Sequence, residues 1–350
     1  MSGHGLPCSF LMRTSPQHPK TRRWRRLLTA GLTVGALVLA ACGSDSDEAA
    51  TTEPAPVETD AATDSTEPAP VSTDEAPSSD EVLRVSAIPD QDVDILNRTY
   101  GLISDYLTAE LGVTVEYVPV TEYSAAVGQL RTGDLDLVWY GALTGVQARL
   151  EAPGSVVVAQ RDIDPTFQSV YIANADTGLT ELSEVADLTA LAGTRFTYGS
   201  ESSTSGRLMP QFFLEEAGVT PDQFDGEPGF SGSHDKTVDL VEAGTFQTGA
   251  VSSSVWARRS ADGALDGKVV KLLDTPEYAN YHWVAGPTVE EKFGPEFVDK
   301  IKAALLALDA DDENGAEILE LFGAESFIET DVALYDGVEK IGRTLGLVND

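Results

Sequence analysis

The sequence predicts an α/β protein with mainly parallel sheets, most simply divided into two sheets. Short alternating apolar stretches give way, again and again after Val82, to stretches with helical spacing. Glycine stands where a helix should end, as at Gly112. Hydroxyl- and glycine-rich segments fall between a strand and a helix, where open α/β sheets place their ligands.

Leu83, Val85 and Ala87 alternate with Arg84 and Ser86, a half-buried strand. Ile95, Leu102, Ile103, Tyr106, Leu107 and Leu111 then recur at helical spacing up to Gly112. A strand over 113–118 and a helix over 122–131 follow, then a strand over 135–139 and a helix ending near Leu150. Further strands are predicted over 156–159, 169–173 and 195–198, with helices over 209–217 and 236–243. Strands over 249–252 and 269–273 come next, and two amphipathic helices over 296–308 and 313–322 close the chain. Residues 82–169 make one α/β unit and 173–273 another.

Charge divides the chain further. It has 350 residues and a net charge of −34. Residues 1–42 hold six basic residues and no acid, and residues 43–81 hold twelve acids and no base. Such acidity argues against a nucleic-acid partner, since a phosphate backbone demands a basic surface. After Arg26 come fifteen uncharged residues, Leu27 to Ala41, in the layout of a secretory signal over 1–41. As a helix they would span roughly 22 Å, short of the ~30 Å hydrocarbon core, so a membrane span is disfavoured. Leu39-Ala40-Ala41-Cys42-Gly43 resembles a bacterial lipobox, which implies lipid on Cys42 as the mature N-terminus. Residues 42–80 are almost wholly Ser, Thr, Asp, Glu, Ala and Pro, unable to offset ordering entropy by burial, and are expected to be a disordered acidic linker.

Catalytic signatures are mostly missing. There is no phosphate loop, HExxH, CxxC or GxSxG elbow. The only cysteines are Cys8 and Cys42, which excludes a Cys-ligated zinc site, an iron–sulfur cluster and a disulfide scaffold. Past the leader only His234 and His282 remain, too few for a three-His zinc site. Composition leaves a Ser–His–Asp hydrolase open, because Asp235 adjoins His234 and serines are near.

The segment Tyr198-Gly199-Ser200-Glu201-Ser202-Ser203-Thr204-Ser205-Gly206 follows a strand and opens a helix in which Pro210 fits only within the first turn. Ser203, Thr204 and Ser205 then stand at a helix entrance, where free N–H groups, the helix dipole and hydroxyls suit a tetrahedral oxyanion. Ordinary capping explains the same residues equally well. Phe230-Ser231-Gly232-Ser233-His234-Asp235 is a second such entrance, and His234 could donate to a bound oxygen there.

Together these residues resemble the phosphonate/phosphite substrate-binding proteins of ABC importers over nearly all of 82–330. Ser203-Thr204-Ser205-Gly206 and Ser231-Gly232-Ser233-His234-Asp235 carry the resemblance most specifically. Thr121-Glu122-Tyr123, Asp136-Leu137-Val138-Trp139-Tyr140-Gly141 and the stretch from Thr275-Pro276 to Tyr281-His282-Trp283 add to it. The resemblance implies a two-lobed fold of the type II periplasmic-binding-protein kind, with 81–172 plus 277–350 in lobe 1 and 173–276 in lobe 2. It implies a non-enzymatic receptor without cofactor or metal, closing on a small tetrahedral oxyanion and delivering it to a membrane permease and ATPase. Ser203, Thr204 and Ser205 would hold the anion, with Tyr123, Tyr140, His234, Asn280, Tyr281, Phe167 and Ser254 in the walls.

The departures from the family bear on specificity. Ser254 and Asn280 stand where aminoalkylphosphonate binders carry carboxylates, so a buried ammonium would go uncompensated. Phosphite, methylphosphonate, selenate or sulfate fits that expectation better, and Phe167 in place of a tyrosine makes the wall drier. The acidic surface does not oppose this, since screening confines each surface charge to about 8 Å. Two other binding roles remain: a lipoprotein sensor reporting the anion to a membrane kinase, and a receptor for a larger organic molecule such as a thiamine precursor.

Overall fold

The structure is a computed structural model that describes residues 81–349. The expected signal over 1–41, Cys42 and the acidic linker over 42–80 lie outside the described residues.

Strand β1 (Val82–Ala87) leads through α1 (Val93–Leu111) to β2 (Thr114–Tyr117), α2 (Tyr123–Thr132), β3 (Leu137–Tyr140) and α3 (Ala142–Glu151). The chain continues through β4 (Val156–Val157) and β5 (Gln160–Arg161) into β6 (Ser169–Asn174) and β7 (Phe196–Tyr198). Next come α4 (Met209–Glu216), β8 (Gly229–Phe230), α5 (His234–Glu242), β9 (Thr248–Ser252), α6 (Ser253–Ser260) and β10 (Val269–Asp274). It closes with β11 (His282–Ala285), α7 (Val289–Phe293), α8 (Phe297–Leu306), α9 (Glu313–Phe322), β12 (Phe327–Ile328) and α10 (Asp336–Thr344).

Two five-stranded sheets result, in the orders β2-β1-β3-β11-β4 and β10-β6-β9-β7-β8, beside a small β12-β5 pair. Each follows from local sequence. Every residue of β3 and of β11 is buried, as continuous apolar strands covered on both faces require. Helix α1 buries Leu96, Tyr100, Ile103 and Leu107 on one face, and left-handed Gly112 ends it by donating to the Thr108 carbonyl.

The parallel share is smaller than the sequence suggests. β1 is parallel to β2 and β3, and β7 to β8 and β9, but β11 and β6 run antiparallel to their neighbours. The reason lies in where the chain changes sheets. His282 at the start of β11 pairs with Tyr140 at the end of β3, and Ser169 at the start of β6 pairs with Ser252 at the end of β9. A strand arriving from the other sheet enters at the carboxyl ends of the parallel strands, so it must run the opposite way.

Strand β6 lies wholly in the second sheet from Ser169, so the first crossing falls before residue 169 rather than at the expected 172/173. Helix α10 also follows the two helices expected to close the chain; it is amphipathic and buries Val338 and Gly342. Helix α6 also goes beyond the expected elements; of its residues only Val255 is buried.

The two crossings are bound to each other. Phe167 and Tyr278 exchange backbone hydrogen bonds, both 2.9 Å. Arg161 donates to both oxygens of Asp164 at 2.8 and 2.7 Å and to the Phe322 carbonyl at 2.6 Å. Asp164 in turn accepts from the Tyr281 N–H at 3.2 Å, and its carbonyl accepts from the Asn280 N–H at 3.0 Å. Arg161 is 5% exposed and Asp164 0%, so each charge depends on the other. Asp164→Ala is therefore expected to destabilise the fold by about 3–5 kcal/mol, leaving a buried guanidinium unpaired, as read from urea unfolding.

Candidate functional site

The candidate anion loop begins at Ser203, whose extended backbone starts a helix and whose hydroxyl accepts from the Gly206 N–H at 2.9 Å. The first turn, Thr204–Leu208, is a π-turn, with the Leu208 N–H reaching back five residues to the Ser203 carbonyl at 2.9 Å. Pro210 explains it. Having no N–H, it cannot donate to the Gly206 carbonyl, which accepts instead from the Gly199 N–H at 2.8 Å. A side chain at Gly206 would press on the Ser203 hydroxyl at 3.0 Å and the His234 ring at 3.1 Å, so glycine lets the two entrances meet.

Helix α3 has glycine at its cap and no side chain of its own to satisfy its first N–H groups. Asn280 Oδ1 accepts from the Ala142 N–H at 3.2 Å, and Thr204 Oγ1 from the Leu143 N–H at 2.8 Å. The acceptor end of Asn280 is thus fixed on α3. Its Nδ2 points elsewhere, buried, with no partner among the described residues. The Tyr123 hydroxyl is also buried, and the Ser203 hydroxyl is the polar group beside it. Thr204, having accepted from Leu143, keeps its own proton to donate.

His234 opens α5, its N–H donating to the Asp90 carbonyl at 2.9 Å. Ring Nδ1 accepts from the Ser252 N–H at 3.2 Å, so the ring proton sits on Nε2. Nε2 faces Ser205 Oγ at 3.3 Å and the Tyr281 hydroxyl at 3.4 Å. Burial pushes the imidazole down to about 4, so it is neutral near pH 7. This is the reverse of a hydrolase triad: Nε2 carries a proton instead of accepting one from serine. Asp235 is turned away, held by Arg258 at 2.7 and 2.8 Å and by Arg259 at 3.1 Å.

Ser203, Thr204, Ser205, His234, Tyr123, Asn280 and Tyr281 thus come together, each at most 4% exposed. Tyr140 does not join them: its hydroxyl donates to the Ala126 carbonyl at 2.7 Å, inside the first lobe. Phe167 stands behind Tyr281, edge-on at 5.4 Å. Ser254 lines a cavity of ≈ 20 Å³ together with Tyr281, Asp90, Arg161 and Trp139, and its hydroxyl is buried with no partner among the described residues.

Asp90 is the residue that sequence reasoning missed, and it corrects the expected carboxylate-free wall. It is 4% exposed and accepts from the Tyr281 hydroxyl at 2.9 Å. Burial raises it to about 6, the Tyr281 hydrogen bond and Arg161 opposing the rise. Its place just past the carboxyl end of β1 was the available signal. Among the described residues no group of three or more His, Cys, Asp or Glu could hold a metal.

Both histidines should stay neutral from pH 7 down to 5, as opposite tautomers. His282 Nδ1 lies 3.0 Å from the Asn280 carbonyl, so there Nδ1 carries the proton, whereas in His234 Nε2 does. Burial pushes His282 down to about 3. Because both rings are depressed, their contribution to stability is full above about 6.5 and is lost as pH falls toward about 4 and then about 3. Nitrogen NMR of the two rings would check both statements; an imidazolium at pH 6 would contradict them.

Residues 85–335 match the family described as ABC transporter, phosphonate, periplasmic substrate-binding protein. The chain is 46% identical over 269 residues to the probable ABC transporter phosphite binding protein PhnD1 of Prochlorococcus marinus (strain MIT 9301), covering 76% of this chain and 91% of that one. It is 25% identical over 325 residues to the phosphate-import protein PhnD of Mycolicibacterium smegmatis (strain ATCC 700084 / mc(2)155), covering 89% and 88%. The solved structure of the Prochlorococcus marinus PhnD1 in complex with methylphosphonate superposes with a TM-score of 0.75 at 45% identity, covering 76% of this chain and 99% of that chain.

Proposed function

This chain belongs to the family of phosphonate periplasmic substrate-binding proteins of ABC transporters, and we propose that it binds a small tetrahedral phosphorus oxyanion between its two lobes. Phosphite and methylphosphonate are the anions of choice, and lipid on Cys42 tethers the protein outside the cytoplasm near its permease and ATPase. One observation carries the reading: Asn280 Nδ2 is a buried donor with no partner among the described residues, on a side chain that shares the first turn of α3 with Thr204, while the Tyr123 hydroxyl lies buried beside Ser203. Unpaired buried donors cost stability unless a ligand accepts from them. That the PhnD1 relative is named a phosphite-binding protein, and was solved with methylphosphonate, supports the same class.

The anion then holds the lobes shut. Thr204 from the second lobe already touches the first turn of α3 in the first, and the permease reads that closed shape. The tight wall disfavours a larger organic ligand, and the protonated Nε2 of His234 disfavours hydrolysis.

Ser205→Ala and Tyr123→Phe are each expected to weaken methylphosphonate and phosphite binding by about one to two orders of magnitude, at about 1.5–3 kcal/mol per hydrogen bond to a charged group. Titration calorimetry reads this, and unchanged affinities would remove these residues from the site. Cys42→Ser should move the protein from the membrane fraction to the soluble one; continued membrane retention would rule out the lipid tether.

A further inference from the structure

Tyr281 has one hydroxyl proton, and the structure shows where it goes. The hydroxyl donates to Asp90 Oδ2 at 2.9 Å, and its oxygen faces the proton on His234 Nε2 at 3.4 Å. The ring cannot swing away. Trp139 stacks on it at 5.8 Å and 6°, Phe167 meets it edge-on at 5.4 Å, and the Arg161 guanidinium lies 4.9 Å over it. With Asp90 ionised, the Tyr281 oxygen can act toward the cleft only as an acceptor, beside His234 and Ser205.

Resting on the oxyanion-receptor reading, we infer that Asp90 and Tyr281 form a proton-accepting wall, so that the receptor binds its anion with one proton shared between ligand and wall, selecting the monoprotonated oxyanion over the bare dianion. A P–O–H group donates to the Tyr281 oxygen and completes the row from ligand to Tyr281 to Asp90. A bare dianion would set its lone pairs against those of Tyr281. Its binding requires a proton on Asp90, which then donates to Tyr281 and frees the Tyr281 hydroxyl for the ligand. The complex contains one proton in either arrangement.

The surroundings of Asp90 agree with this. Arg161 is the cation nearest to it, and its charge is already met by two bonds to Asp164. Asp235 adds negative potential from α5, but its carboxylate is bound by Arg258 and Arg259. Tyr100 on α1, Tyr117 on β2 and Tyr123 on α2 face Asp90, and all three phenols are pushed up by burial and by Asp90, so they stay neutral. His234 is neutral as well. Asp90 and the ligand are thus the groups left to trade a proton near pH 7.

The test is titration calorimetry of the full chain in detergent with methylphosphonate and phosphite, from pH 5.5 to 9, in buffers of different ionisation enthalpy. Above the second ionisation of the ligand, uptake approaching one proton per bound anion is expected, with affinity falling about tenfold per pH unit. In Asp90→Asn the amide can donate to Tyr281, so uptake should drop toward zero and affinity should change less than about threefold between pH 7 and 9. Wild-type binding at pH 8.5 without proton uptake overturns the inference and leaves the receptor reading intact. Unchanged uptake in Asp90→Asn also overturns it, because the proton then belongs elsewhere. Binding of neither anion at any pH sinks the receptor reading and this inference with it.

Discussion

The first two N–H groups of α3 are satisfied by residues far from α3 in sequence, and the rest of the site depends on that fact. Gly141 offers no capping side chain, so Asn280 comes from the second crossing and Thr204 from the second lobe. One helix end thereby joins both lobes and the crossing between them. It also sets the polarity of the site. With the Asn280 oxygen spent on Ala142, only the amide donor is left to face inward, and with Thr204 accepting from Leu143, its proton is left to give. A helix entrance that looked like ordinary capping in the sequence is therefore capped across the cleft.

Among the described residues the candidate site has no unpaired cation, and the protein is strongly acidic. The buried cation close by, Arg161, is paired with Asp164; Asp164 is tied to the backbone at Tyr281 and Arg161 to the end of α9. The guanidinium lies over the ring of Tyr281. What is left for an anion is a set of hydroxyls, one amide, one neutral imidazole and the N–H groups of a helix start. These act at hydrogen-bond distance, inside the reach of screening, so the surface charge has little influence on them. Hydrogen bonds to a charged group in such a dry place are stronger than neutral ones, which fits a site built without formal positive charge.

Much of the fold was legible, for physical reasons that differ by element. Alternation in β1, the α1 stripe up to Gly112, and the length of α8 and α9 are local patterns with fixed periods, and they hold. Helix α6 buries only Val255 and so shows little period, whereas amphipathic α10 carries one that the expectation of two closing helices left out. Strand β11 is one short apolar run whose direction no local pattern encodes; the crossing between sheets dictates it. At the candidate site, hydroxyl-rich turns and a histidine at helix entrances drew attention because those residue types have few other uses together. Tyr140 drew attention by adjacency to a motif, yet its hydroxyl belongs to the core.

By itself the sequence determined the residue chemistry: an α/β alternation, two hydroxyl-rich helix entrances, a basic and then apolar stretch over 13–41, and no motif for metal or phosphate-loop chemistry. Only the tertiary structure decided which atom of each polar group faces the cleft. The proton on His234 Nε2 depends on Ser252, the free amide of Asn280 depends on Ala142, and the direction of the Tyr281 hydroxyl depends on Asp90. Those partners lie 18, 138 and 191 positions away, and hydrogen-bond direction is a property of pairs, which no single residue type fixes in advance.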